Sequence, residues 1–129
     1  MREILFRAKG QTGGKWHVGL LTMADEDACH IKDDRHNEWI CDSKTVCQYT
    51  GMTDRNGRKI FEGDIVRYTD EVTGKEKADE VEYNETHAAF CRLHKGEMGV
   101  QYLFIDESIA DRCEVTGNIY DNPAPADAT

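Results

Sequence analysis

Apolar and polar residues alternate along much of the chain, and a period of two residues predicts β-strands. Ile4, Phe6 and Ala8 alternate with polar or charged neighbours over much of the first segment, and residues 15–22 show a similar pattern after a glycine-rich turn at 11–14. We expect these two segments to form an N-terminal hairpin. No stretch has the period of a long amphipathic helix, so the chain is predicted to be mainly β.

Further strands are predicted wherever the same alternation returns between turns. They cover residues 38–42, 45–49, 59–61, 64–72, 77–83, 87–93, 98–105 and 114–120. In the segment 98–105, Val100, Tyr102 and Phe104 are in register on a strongly apolar strand. Residues 107–112 predict one turn of helix. The segment 24–37 is rich in acids and poor in apolar residues, which predicts a surface loop or a poorly anchored helix.

The centre of the chain has the densest turn signals. Asn56-Gly57 is typical of a tight primed hairpin turn, in which both central residues have a positive φ. Asp54 precedes it and can accept a hydrogen bond from the backbone two residues on. Gly51 and Gly63 indicate two further sharp bends. The Gly63-Asp64 entry into a long strand is also found in small SH3-like barrels.

These patterns predict an architecture of two parts and a tail. We expect an N-terminal β-rich extension over residues 1–57 and a five-stranded SH3-like barrel over 58–122. Residues 123–129 contain two prolines and three alanines, which predicts a flexible tail.

Composition narrows the class of protein. The 129 residues carry 16 Lys and Arg against 25 Asp and Glu, a formal charge of −9. This composition excludes collagen, a coiled coil and a membrane span, and it excludes disorder for most of the chain. A uniformly acidic surface would repel polyphosphate, which argues against non-specific binding of nucleic acid.

The charge is unevenly distributed, and this keeps one alternative open. Residues 1–19 carry four basic and one acidic side chain, whereas 25–42 and 70–85 each carry seven acids and two bases. Residues 50–68 are slightly basic. A local nucleic-acid contact through the N-terminal hairpin and Arg55, Arg58 and Lys59 is therefore an alternative function, and its affinity would fall steeply with salt.

Five cysteines cannot all pair within one chain, and we expect them to be reduced. The N-terminal residues contain no apolar stretch of signal-peptide length, so we expect a cytoplasmic protein without a membrane anchor. Cys91 and His94 have a C-x-x-H spacing, but residues three apart on a strand point to opposite faces. We therefore expect no metal site and no cofactor.

Three blocks of the sequence resemble the YopX family of phage and prophage proteins. They are the opening Met1–Ala8, the central Gln48–Val66 with its Q-Y-T-G-x-x-D-x-N-G pattern, and the closing G-N-I-Y-D-N-P of 117–123. The resemblance implies an SH3-like barrel with an N-terminal extension in a phage-encoded accessory protein of a bacterial host cell. It implies no known activity or catalytic residue.

Polar residues without an evident folding role are the candidates for a binding site. If the last strand returns beside the first long strand of the barrel, Glu62, Asp64 and Asn118 are expected to lie together, near two tyrosines. The full candidate set is Tyr49, Arg55, Arg58, Lys59, Glu62, Asp64, Asn118 and Tyr120. The structural alternative for Asp64 is a hydrogen bond to the amides of the Gly63 corner.

The function that these features favour is a small binding or protein-interaction module, with an unidentified host or phage protein as partner. An enzyme is not expected, because the sequence contains no phosphate-binding loop or nucleophile motif. The remaining enzyme alternative is a metal-dependent hydrolase that uses Glu62 and Asp64. A homo-oligomer stays open, since small barrels leave strand edges that need covering.

Overall fold

The protein is mainly β, as the alternating pattern predicts. In a computed structural model that describes residues 3–121, strands take up 57% of these residues and helices 6%. The strands form two antiparallel sheets. No closed barrel is found among the described residues, so the SH3-like barrel is not confirmed. The predicted tail at 123–129 lies outside the described residues, and the boundary at 57/58 stays a prediction.

The described part of the chain contains eleven strands and one short α-helix. A 3-10 turn at Ser43–Thr45 separates the fourth and fifth strands. None of the helical segments between residues 3 and 121 has the length and apolar character to cross a bilayer. In chain order the elements are β1 (Phe6–Lys9), β2 (Trp16–Ala24), β3 (Ala28–Lys32), β4 (Glu38–Asp42), β5 (Cys47–Thr53), β6 (Lys59–Phe61), β7 (Asp64–Thr69), β8 (Glu76–Asn84), β9 (Ala89–Gly96), β10 (Gly99–Phe104), α1 (Glu107–Ala110) and β11 (Glu114–Asn118).

The chain divides into two compact units, Met1–Gly51 and Met52–Thr129. In the first unit the strands hydrogen-bond in the order β4-β3-β2-β1-β5, and β5 runs on into the second unit, where β6 follows it. The N-terminal hairpin is confirmed, because β1 pairs antiparallel with β2 and places Phe6 opposite Gly19.

The acidic segment 24–37 is not the surface loop that its charges predict. Its residues Ala28–Lys32 form β3, which pairs with β2 on one side and β4 on the other. The prediction is wrong because Cys29 and Ile31 alternate within the segment and are fully buried, while the acids lie in the turns on either side. The buried core of this unit consists of Ala8, Cys29, Ile31 and Cys41.

The backbones of β2 and β3 approach so closely that Gly19 leaves no room for a side chain. A Cβ on Gly19 would lie 2.0 Å from the carbonyl oxygen of Lys32. Because backbone would have to move, we expect Gly19→Ala to lower the free energy of unfolding by about 2 kcal/mol. Urea unfolding measures the loss. Gly96→Ala is the control, since Gly96 has no positive φ and its Cβ would meet only a side chain, that of His94, at 3.2 Å; an equal loss in both variants would contradict the close approach.

In the second unit, five strands hydrogen-bond in the order β10-β9-β8-β7-β11. Asp106 caps the N-terminus of helix α1, and its side chain accepts a hydrogen bond from the Ile109 N–H at 2.9 Å. A bulge between Val115 and Gly117 shifts the register of β11 against β7. The buried core of this unit consists of Ile60, Val66, Val81, Ala110, Cys113 and Val115.

The Asn56-Gly57 turn differs from the predicted primed turn. Gly57 has a φ of +80°, but Asn56 is not among the described residues with a positive φ. The N–H of Asp54 donates to the carbonyl of Arg58, and the N–H of Gly57 donates to the carbonyl of Asp54. This arrangement is a three-residue loop, which needs only one left-handed residue at its end. The hairpin prediction is confirmed, whereas the predicted turn type is wrong.

Candidate functional site

The carboxylate of Asp54 is buried and binds three backbone N–H groups. Its Oδ1 accepts from the N–H groups of Asn56 and Arg58, both at 2.9 Å. Its Oδ2 accepts from the N–H of Val115 in β11, also at 2.9 Å. The predicted capping of the turn is confirmed, and the same side chain also joins the turn to the last strand. We call residues 54–58 the Asp54 turn.

The Asp54 carboxyl makes stability depend on pH. Burial alone would raise its pKa, but the hydrogen bonds from Val115, Arg58 and Asn56 lower the pKa below the ordinary 3.8. Such a group adds stability above its unfolded pKa and loses it as the pH falls through its folded pKa. We therefore expect the wild type to lose stability below about pH 3.8.

The control for this pH dependence is Asp54→Asn, which cannot ionise. Its urea-unfolding midpoint should fall less steeply than that of the wild type between about pH 4 and about pH 2. The difference between the two curves isolates Asp54 from the other carboxylates. Parallel curves would show that Asp54 does not carry the effect.

The basic candidates Arg55 and Arg58 lie on the Asp54 turn, and Lys59 follows it at the start of β6. Arg55 has an acidic partner. The exposed Arg55 donates from Nη2 to Oε2 of Glu114 at 2.6 Å. Its backbone N–H donates to the carbonyl of Cys113 at 2.9 Å. Arg58 and Lys59 are exposed at the end of the turn and the start of β6. A phosphate group at this turn would have to compete with Glu114 for Arg55.

Two of the polar candidates are brought opposite each other by the pairing of β7 with β11. Asp64 lies in register with Asn118. The buried Asp64 accepts from the N–H of Phe61 at 2.8 Å, at the Gly63 corner. Asn118 accepts from the N–H groups of Tyr120 and Asp121 at 3.0 and 2.9 Å. Both side chains therefore stabilise local backbone where a strand begins or ends.

Glu62 lies half-buried between β6 and β7 and belongs to an acidic group with Glu80 and Glu82. Burial first, and then Glu80 and Glu62, raise the pKa of the Glu82 carboxyl. For a metal-dependent hydrolase, Glu62 and Asp64 would have to share a cation. Among residues 3–121 there is no cluster of three or more His, Cys, Asp or Glu side chains that could hold one.

The remaining candidate, Tyr49, lies in the first unit. It is buried in β5, and its N–H donates to the carbonyl of Leu5 at 2.9 Å. Two cations of β1 are packed on an aromatic ring: Arg7 lies 4.7 Å and Lys9 lies 5.6 Å from the ring centre of Trp16. Such contacts hold cations in place through the negative face of the ring.

Sequence analysis missed a buried polar network in the second unit. The side chain of Asp79 is fully buried, 3.3 Å from Nη1 of Arg92 and 2.7 Å from Nδ1 of His94. Tyr68 hydrogen-bonds the same carboxylate, and burial together with Asp79 raises the pKa of its hydroxyl. The sequence signal is the position of Asp79. It lies two residues from the apolar Val81 and therefore on the same face of β8.

This network borders a cavity of about 390 Å³ in the second unit. Cys113 also lines the cavity, and burial raises the pKa of its thiol, so the reactive thiolate is not formed at neutral pH. The three cations that line the cavity each have an acidic partner. The pairs are Lys77–Asp70, Arg112–Glu71 and Arg92–Asp79.

The cysteines are buried and free throughout the described residues. Burial is the largest cause of the raised pKa of Cys29 and Cys91, and it raises the pKa of Cys41 to about 11. His94 contacts Asp79 on one face of the second sheet, and Cys91 lies on the other face by the strand period. The C-x-x-H pair does not converge, and protonated thiols are poor metal ligands.

A row of exposed apolar side chains runs along β10, the outer strand of the second sheet. Val100, Tyr102 and Phe104 are 57%, 59% and 70% exposed. Because they alternate along the strand, they share one face. The sequence pattern predicts this apolar strand but does not indicate its exposure, since the period of a strand carries no information about what covers it.

Among the described strands, β10 differs from the other three that end a sheet, β4, β6 and β11. Gln11 donates to the carbonyl of Ile40 at the edge of β4, and the Asp54 turn binds the edge of β11. β6 has only three residues and begins with Lys59. β4 and β11 contain acidic residues, whereas β10 contains no charged residue. Charges, short strands and covering loops protect edges from pairing. Within residues 3–121, β10 has six residues and no charge of its own, and Nε of Arg92 on the neighbouring β9 binds its Phe104 carbonyl at 2.9 Å.

These features define a small β protein of two sheets, in which one sheet edge is uncharged and carries exposed aromatic side chains. The family model described as "YopX protein" matches residues 5–124. The chain therefore belongs to the YopX family, and the resemblance found in the sequence is confirmed. None of the curated proteins matches this chain.

The fold is similar to that in a crystal structure of protein EF1440 from Enterococcus faecalis. The two chains are 22% identical, and the match covers 95% of this chain and 97% of that chain with a TM-score of 0.57. At this level of identity the likeness concerns the fold alone.

Proposed function

We propose that the protein is an interaction module that binds an extended segment of a protein partner along β10. The observation that carries the proposal is the combination of an uncharged sheet edge with exposed Val100, Tyr102 and Phe104. An edge strand presents backbone N–H and C=O groups to an added strand, and side chains on one face add specificity. Aromatic residues such as Tyr102 and Phe104 are also enriched at protein interfaces.

Three of the other candidate residues have partners within the chain, so the strand-addition proposal needs no binding role for them. Asp64 and Asn118 bind local backbone, and Arg55 is paired with Glu114. We propose on the same grounds that the protein is not an enzyme. The proposal extends to a phage-encoded accessory protein in the bacterial cytoplasm, which rests on the resemblance to phage and prophage proteins.

We also propose that the second unit is an open form of the SH3-like barrel. Support comes from its order of elements: β7, β8, β9 and β10 pair consecutively, and a short helix precedes a last strand that pairs back to β7.

The test of the interaction module is capture of tagged chain that is co-expressed with an untagged copy in a bacterial host. Three forms are compared: wild type, Tyr102→Lys and Val72→Lys. Tyr102→Lys adds to β10 the kind of charge that protects natural edges. Val72 is 93% exposed and lies outside β10, so Val72→Lys adds the same charge elsewhere.

We expect the wild type and Val72→Lys to retain the same protein, and Tyr102→Lys to lose it. The retained protein is either the untagged copy or another protein of the host. If Tyr102→Lys retains everything that the wild type retains, or if the wild type retains nothing, β10 is not a protein-binding edge.

A further inference from the structure

We infer that the strand which pairs with β10 comes from a second copy of this chain. The inference rests on the proposed function of β10 and names its partner. Two copies would join their β10 strands antiparallel around a two-fold axis at Tyr102, so that the five-stranded sheets of two second units become one continuous sheet.

The hairpin that contains β10 sets which backbone groups can make this contact. β9 and β10 are joined by Glu97 and Met98, with Gly96 paired to Gly99. In a hairpin with a two-residue loop, the residues that flank the loop exchange hydrogen bonds, and bonded and non-bonded pairs then alternate. The backbone groups of every second residue therefore point away from β9. These residues are Val100, Tyr102 and Phe104.

An antiparallel pair centred on Tyr102 uses all three of these positions. Tyr102 of one copy lies opposite Tyr102 of the other, and Val100 lies opposite Phe104. The Phe104 carbonyl already accepts from Nε of Arg92 at 2.9 Å, and a carbonyl oxygen has a second lone pair. The exposed side chains of the two copies then form aromatic and aromatic–aliphatic cross-strand pairs, which stabilise antiparallel sheets.

The lack of charge on β10 allows a second copy to approach this edge. In an antiparallel pair around a two-fold axis only the residue on the axis meets itself, and every other residue meets its counterpart across the axis. β10 reads Gly-Val-Gln-Tyr-Leu-Phe and contains no charged residue, so no register of this pairing brings like charges of the two strands together. By contrast, a pair of β4 strands centred on Ile40 would place Glu38 opposite Asp42. With a net charge of −9, two copies repel each other over most of their surface. An uncharged strand is where they can approach.

A partner of another sequence would not require this symmetry. The edge would then be expected to carry a charge or a bulge that selects that partner and prevents self-pairing. Because β10 has six residues, the interface is small, and the dimer should form and dissociate with protein concentration.

The test uses the full chain in sedimentation velocity from about 10 µM to about 1 mM. We expect the wild type and Val72→Lys to shift from monomer to dimer. Tyr102→Lys and Tyr102→Glu each place two like charges across the axis, and each should raise the dimer dissociation constant about tenfold or more. An equimolar mixture of the two variants should recover the dimer, because the lysine of one copy then faces the glutamate of the other.

Recovery in the mixture also shows that both variants are folded. A monomeric wild type at every concentration, or a dimer that Tyr102→Lys leaves unchanged, would overturn the second copy as partner. If the wild type is monomeric but retains another protein in a Tyr102-dependent way in the capture experiment, the interaction module stands and the inference alone fails. If the wild type neither dimerises nor retains a protein in a Tyr102-dependent way, the proposed function fails as well.

Discussion

Replacing Asp54 by alanine is expected to lower the free energy of unfolding by about 4 kcal/mol. The substitution leaves the N–H groups of Asn56, Arg58 and Val115 without their acceptor. The hydrogen bond from Val115 is buried, and a buried donor without an acceptor is costly. Hydrogen bonds to a charged acceptor also contribute more than neutral ones. One side chain also fixes both the Asp54 turn and the edge of β11, so the loss affects two elements at once. Urea unfolding at neutral pH measures the change.

Asp25→Ala is the matched control for Asp54→Ala. The exposed Asp25 also accepts hydrogen bonds from two backbone N–H groups, those of Asp27 and Ala28, both at 2.9 Å. Water can replace an exposed acceptor, so we expect a loss of about 1 kcal/mol or less. If Asp54→Ala destabilises the protein no more than Asp25→Ala, the carboxylate does not hold the turn to β11.

Replacing Asp79 by leucine is the second change with a large expected effect, again about 4 kcal/mol. Arg92 and His94 both contact the fully buried Asp79 carboxylate, at 3.3 and 2.7 Å. Removing one member of a buried ion pair leaves the other charge without compensation in a medium of low dielectric constant. The hydroxyl of Tyr68 loses the same acceptor. Urea unfolding of the variant measures the sum of these losses.

Two further variants test whether the loss of stability comes from the buried ion pair or from the loss of any charged residue. Glu71→Ala removes an ion pair with Arg112 that lies on the surface, and we expect less than about 1 kcal/mol. Asp79→Leu combined with Arg92→Met removes both buried charges and should recover part of the loss, because apolar residues often replace a buried pair at little cost. If the double variant is less stable than Asp79→Leu alone, Arg92 is not the group left uncompensated.

The sequence predicts the strands of this fold well where apolar and polar residues alternate. The hairpin of β1 and β2 and the short β6 are expected from period and turn chemistry, and both are present. The last strand pairs with β7, as closure of a barrel would require, although no closed barrel is found among the described residues. The Asn56-Gly57 signal predicts a hairpin correctly but not its turn type. The carboxylate of Asp54 selects a loop of three residues, and its bond to Val115 depends on a strand 61 residues further on.

The failed predictions have a common physical cause. β3 is hidden in an acidic segment, because two buried residues, Cys29 and Ile31, are enough to anchor a strand between two neighbours. Asp79 is buried although it is charged, since Arg92 and His94 on the adjacent strand compensate it. Both outcomes depend on contacts between strands, and a reading of one segment at a time does not include them.

The candidate site shows the same limit more strongly. Motif residues such as Asp54, Asp64 and Asn118 are conspicuous in the sequence because the backbone needs them at a turn, a corner and a strand end. The edge of β10 is inconspicuous in the sequence, because a covered and an exposed apolar strand have the same sequence pattern. Only the sheet order and the exposure of Tyr102 distinguish the two cases.

The most direct test of β10 as the partner-binding edge is amide hydrogen exchange, measured by NMR for each residue of the full chain. In dilute protein we expect the amides of Val100 and Tyr102 to exchange fast, and those of Gln101 and Leu103, which bond to β9, to exchange slowly. At high protein concentration, the amides of Val100 and Tyr102 should become protected while those in the turn at Val72 stay unchanged. The contrary result is fast exchange of the Val100 and Tyr102 amides at every protein concentration and also in the presence of any protein retained in the capture experiment. That result would contradict β10 as the partner-binding edge.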